Sequence, residues 1–144
     1  MTTIDAQREK QLSRNQWIKI GAVTAVASVV AVLITQAIAL AIWPDSVLFK
    51  PLESYPRTAV FTIIPVIIAT ALLAWLVGNK PHPVQTFIKI AVVALLLSFI
   101  PDYFLPVPYR TFLTSSIAAL LHVVAAIVTV FVLITGYQRQ AERS

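Results

Sequence analysis

The chain has 144 residues, of which 58% are hydrophobic and 12% charged, with a mean hydropathy of +0.84. Soluble domains run at roughly 45–50% apolar and 25% charged, so a water-soluble globular domain is excluded and a membrane protein is indicated. The formal charge is +5 and there is no cysteine; disulfides, thiolate metal sites and cysteine nucleophiles are therefore excluded.

Four segments with little or no charge follow one another: 20–44, 58–79, 84–101 and 111–138. Each approaches or exceeds the roughly 20 residues that a helix needs to cross a hydrocarbon core about 30 Å thick. The pattern predicts an all-α, four-helix antiparallel transmembrane bundle, one domain over 1–144, with helices near 17–43, 58–78, 84–105 and 111–137 and short polar tails. The first apolar run is too long for the core of a cleavable signal sequence, so it is expected to remain as an anchor. The loop after it, around residues 45–57, carries Pro51 and Pro56 and is expected to lie over the outer face as a partial cap. Pro65 is expected to kink the second helix or free a carbonyl. In the third segment, Lys89 sits near the inner end, where its stem can snorkel to the headgroups. Pro101 with Asp102 is expected to break or kink the same helix near its outer end.

Basic residues give the orientation. Arg8, Lys10, Arg14, Lys19, Lys80, Lys89, Arg139 and Arg143 fall on the side that carries both termini, against Lys50, Arg57 and Arg110 on the other. This asymmetry predicts that both termini face the cytoplasm. Trp17, Trp75 and Tyr137 at the inner boundary, and Trp43, Tyr55, Tyr103 and Tyr109 at the outer one, agree with it. The positive charge is thus explained by topology, and no nucleic-acid partner is expected.

Polar residues inside the spans are the candidate site, because they are costly in lipid. Small or weakly polar faces mark helix contacts in a bilayer. On the fourth helix Thr111, Ser115, Ala118, His122, Ala125 and Thr129 share such a face, which predicts that His122 points into the bundle. With Thr111 at the outer boundary, His122 lies about 16 Å below it. Ser98, Ser115, Gln36 and Thr62 lie in the outer half by the same arithmetic, and Asp102 lies higher, which argues against a direct Asp102–His122 bond. His122 reads either as a ligand-binding or proton-responsive group, or as a neutral histidine satisfied by a hydroxyl or carbonyl. Asp102 reads either as a proton or cation uptake group or as the ion-pair partner of Arg110. Gln36 reads as a hydrogen bond between helices. His82 is about 15 Å from His122 along the membrane normal, too far for both to ligate one haem iron, and no cofactor is expected.

No phosphate-cradling loop, zinc-hydrolase spacing or serine triad is present. The expectation is a non-enzymatic binding or interaction protein, or a membrane-complex subunit, with a polar cluster in the outer half. A small oligomeric channel or proton-coupled transporter using His122 is the alternative. The expected partners are the lipid bilayer and either a second copy or a complex subunit. Ser98-Phe99-Ile100-Pro101, followed after a short turn by Leu121-His122-Val123-Val124-Ala125-Ala126, resembles an uncharacterised family of small bacterial four-helix membrane proteins. That resemblance implies a bacterial cytoplasmic-membrane protein and singles out Ser98, Pro101 and His122; it implies no known activity.

Overall fold

A computed structural model describes residues 11–143. Among them the order is α1 (Arg14–Ile42), two short 3-10 turns (Pro44–Leu48 and Lys50–Leu52), α2 (Tyr55–Asn79), α3 (Pro83–Phe104) and α4 (Phe112–Arg143). All four α-helices are long and apolar enough to cross a membrane, the pattern of a multi-pass membrane protein. Arg8 and Lys10, used for the expected orientation, lie outside the described residues.

Local chemistry sets the helix ends. Ser13 caps α1: its hydroxyl accepts from Gln16 N at 3.2 Å, while Ser13 N donates to Gln16 Oε1 at 2.8 Å. This reciprocal capping box starts the helix at Arg14 rather than at 17. Ser54 likewise accepts from Arg57 N to begin α2, and Pro83 occupies the first turn of α3, where its missing N–H costs nothing. The fourth helix continues to Arg143, past the expected end near 137. Neither interior proline ends its helix. The break expected at Pro101 does not occur, because the ring removes one backbone bond close to a terminus and the Pro101 carbonyl still accepts from Leu105 N at 3.0 Å.

Helix α1 packs most extensively on α4. Trp17 stacks on Tyr137 with ring centroids 5.6 Å apart, and Ser28 and Thr129 share a buried hydroxyl hydrogen bond of 3.0 Å. Gly21 brings α1 against α2: a Cβ there would stand 3.1 Å from the Thr70 methyl. One core lies around Trp17, Ile20, Leu73, Leu76, Phe87 and Leu133, and draws on all four helices. The other lies around Val32, Ala39, Ile117, Ala118 and Leu121, and is closed by Phe49 and Leu52 from the 3-10 turns. The turns thus cover that end, and Gln36 holds them there. Its amide donates to the Leu52 carbonyl at 3.1 Å, so Gln36 ties helix to loop rather than helix to helix.

The outside is apolar. Val23, Ile34, Phe61, Ile67, Leu96 and Phe131 are exposed, as expected of surfaces facing hydrocarbon, since lipid is as apolar as these side chains. Helix α3 is the least engaged: only Pro83 and Phe87 near its start and Asp102 near its end are buried.

Candidate functional site

The site is assembled where α3 meets α4. Along this seam Ser115 Oγ donates to the Asp102 carbonyl at 2.6 Å, and the Tyr103 and Ser116 hydroxyls meet at 3.0 Å. Farther along, Ile88 and Thr135 line one groove. The buried stripe of α4 runs through Thr114, Ala118, Leu121, Thr129, Leu133 and Tyr137, and the seam with α3 lies beside it.

His122 does not point into the bundle as its small-residue face suggests. Leu121 takes the inward position, and His122, one residue or about 100° farther round the helix, sits at the edge of the stripe with its side chain 44% exposed. The small residues do not define the packed face well. Thr111 is exposed, while the large apolar Ile117 is buried.

Asp102 and His122 are brought together, contrary to the depth arithmetic. His122 Nε2 stands 3.1 Å from Asp102 Oδ2, and the Asp102 side chain is only 8% exposed. The Ser115–Asp102 bond sets the aspartate backbone level with Ser115, seven residues or about 10 Å along α4 from His122. Helical side chains lean toward the N-terminus of their own helix. With Ile88 and Thr135 lining one groove and Asp102 bonded to Ser115, the carboxylate leans toward the histidine and the imidazole toward the aspartate, and the two closing lengths span the gap. Depth counted at Cα positions omits that convergence.

The contact is an ion pair when the imidazole is protonated. Asp102 Oδ2 is nevertheless buried without an aligned hydrogen-bond donor; the ring N–H approaches it at short range but off the line. Arg110 is not the partner of Asp102. Its Nη1 donates to the Tyr103 carbonyl at 2.5 Å, which ties the turn to the end of α3.

The other expected residues are partly recruited. Ser98, one turn below Asp102 on α3, donates to its own helix at Leu95 O, 2.6 Å away. Thr62 does the same on α2 toward Thr58 O at 2.8 Å, and Gln36 serves the loop, so neither hydrogen-bonds to the Asp102–His122 pair. Tyr103 and Ser116 flank the pair without having been singled out as site residues. Tyr103 reads in the sequence as an interfacial aromatic, and only the three-dimensional register reveals its hydroxyl partner. Asp102 and His122 offer two donor groups to a metal, and no set of three His, Cys, Asp or Glu side chains converges among the described residues.

Farther along the seam between α3 and α4 lies an open apolar groove of about 410 Å³ lined by Ile88, Ala91, Leu95, Ala126, Val130 and Ile134 among others. The arrangement can accept a hydrogen-bond donor at the carboxylate, hold a proton between two groups, and pack a chain in the groove.

Four apolar helices with an acid–imidazole pair in one seam define a small multi-pass membrane protein. The chain belongs to a family of unknown function (DUF6069), whose family model matches residues 11–139. No curated protein and no solved structure matches it.

Proposed function

We propose that this protein is a non-enzymatic binding protein of the cytoplasmic membrane, an antiparallel bundle with both termini in the cytoplasm, whose point of recognition is the Asp102–His122 pair. One observation carries the reading: a buried carboxylate oxygen without an aligned donor lies beside a half-exposed imidazole, on the flank of the bundle rather than in its middle. A polar group left unmatched in a low-dielectric setting is costly, and a partner arriving from the bilayer is what would match it. The described basic residues support the orientation, with Arg14, Lys19, Lys80, Lys89, Arg139 and Arg143 toward one end and Lys50, Arg57 and Arg110 toward the other. The Asp102–Ser115 bond at one part of the α3–α4 seam and the shared Ile88 and Thr135 lining at another support the antiparallel arrangement. A pore through a single copy has less support, because the space between the helices is filled by side chains such as Val32, Val66, Leu73 and Leu133.

The test is thermal unfolding of the purified protein with and without total lipid extracted from the source membrane, beside a proton-flux assay in liposomes. Lipid extract is expected to raise the Tm of the wild type and to do so much less for Asp102→Asn and His122→Ala. No proton flux is expected for any of the three. Flux in the wild type that disappears in folded His122→Ala would replace binding with transport.

A further inference from the structure

We propose that the α3–α4 seam binds a single-chain neutral lipid with a hydroxyl head, its hydroxyl on the Asp102–His122 pair and its chain in the Ile88–Ile134 groove. This rests on the binding reading above and specifies its ligand. The two halves of the site follow one another along the seam. On α3, Leu95, Ser98 and Asp102 follow at steps of three and four residues; on α4, Ala126 and His122 are four apart, so groove and pair lie on the same helix faces. Ser98 stands between them in the sequence of α3, with its hydroxyl already turned back to Leu95 O.

The groove provides the volume. At about 410 Å³ it falls within the roughly 300–1,000 Å³ of small-ligand sites. Ala91 and Ala126 face it where larger side chains would close it. Such a lining accepts any hydrocarbon chain, so selection has to come from the head. Asp102 Oδ2 requires a donor, because a buried acceptor without one costs its desolvation. The imidazole is exposed enough to be reached, and a hydroxyl that displaces it from the sealed Oδ2 supplies that donor and can also accept from the ring. An ionised Asp102 carboxylate offsets the charge of even a protonated imidazole, so the pair gives no net attraction to an anionic head. A phosphate or carboxylate would also meet the Asp102 oxygen as a like charge when that group is ionised. A neutral alcohol head matches both conditions.

The probe is a diazirine-bearing hexadecanol added to the full chain in phosphatidylcholine nanodiscs, with the crosslinked residues mapped by mass spectrometry. Saturable labelling of the α3–α4 seam is expected, displaced by hexadecanol but not by hexadecane, palmitate or phosphatidylglycerol. Asp102→Asn is expected to weaken labelling about tenfold, the usual scale for a lost hydrogen bond to a charged group. Ala126→Phe, which fills the groove, is expected to abolish it, with Ala91→Leu as the second variant should Ala126→Phe fail to fold. Displacement by hexadecane as effective as by hexadecanol would reduce the site to a greasy surface and overturn the proposal. Displacement by palmitate or phosphatidylglycerol in preference to the alcohol would overturn it in favour of an anion site. If lipid extract stabilises the protein through the pair while hexadecanol neither labels nor competes, the ligand class is wrong and the binding reading stands; if neither responds, both fall.

Discussion

The two ends of the bundle are held by different chemistry. Toward the chain termini, all four helices contribute apolar side chains to one core, and α3 is anchored there by Phe87 beside Leu76, Leu133 and Tyr137. Toward the loop end, the core is built from α1, α4 and the capping turns, and α3 contributes no residue to it. There α3 is held by polar contacts instead: the Asp102 carbonyl on Ser115, the Tyr103 hydroxyl on Ser116, and the Asp102 carboxylate near His122. Apolar packing in a bilayer is non-directional, whereas each polar contact fixes a partner and a register. Helix α3 is thus fastened by apolar packing at one end, where the groove runs past Ile88 and Ile134, and by directional polar contacts at the other, where the acid–imidazole pair lies.

That contrast is open to direct attack. The largest effect is expected from Phe87→Ala, which removes the apolar anchor of α3. Its cost is about 2 kcal/mol, below the roughly 3–5 kcal/mol of Phe→Ala in a water-soluble core, because the ring remains in an apolar medium when the helices separate. Unfolding in mixed micelles should read this as a clear loss of stability; an effect no larger than that of the polar variants would remove the distinction between the two ends. Ser115→Ala comes next, at about 0.6 kcal/mol, the average for a hydrogen bond between membrane helices. Its sharper signature is local: hydrogen exchange should accelerate in residues 98–104 and stay unchanged near Phe87. The smallest effect is expected at the exposed Arg57–Glu53 pair, 3.0 Å apart on the loop, where Glu53→Gln should change stability by less than about 0.5 kcal/mol. A larger loss there would mean that the loop cap depends on charge rather than on Phe49 and Leu52. A cross-check on register comes from the cysteine-free background. Ser28→Cys with Thr129→Cys should form a disulfide on mild oxidation, since their hydroxyls meet at 3.0 Å, and failure to crosslink would contradict the α1–α4 alignment.

The four spans were legible because hydrocarbon imposes length and apolarity on every crossing helix, a constraint that leaves a continuous signal in the chain. The capping box at Ser13 and Gln16 was legible in principle too, as a Ser-x-x-Gln step, and it accounts for the earlier start of α1. Burial was less readable. In lipid both faces of a helix are apolar, so the contrast that marks the core of a soluble helix is lost, and Ile117 on the buried side looks like Leu120 on the exposed side. The Asp102–His122 contact was hidden for another reason. Each residue was recognisable as an expensive group in an apolar chain, but their meeting depends on two side chains leaning toward each other across a seam, which helix counting along one axis does not capture. Gln36 was misread because its partner is a loop carbonyl, and loop paths leave little trace in residue periodicity.

The pairing of Asp102 with His122 is tested most directly by a double-mutant cycle on unfolding free energy in lipid bicelles, using Asp102→Asn, His122→Gln and the double variant. Residues in contact typically couple by about 0.5–3 kcal/mol, and a coupling within that range is expected, with the double variant less destabilised than the sum of the single ones. Additive effects, with all three variants folded, would contradict the pair and with it the binding point at the α3–α4 seam.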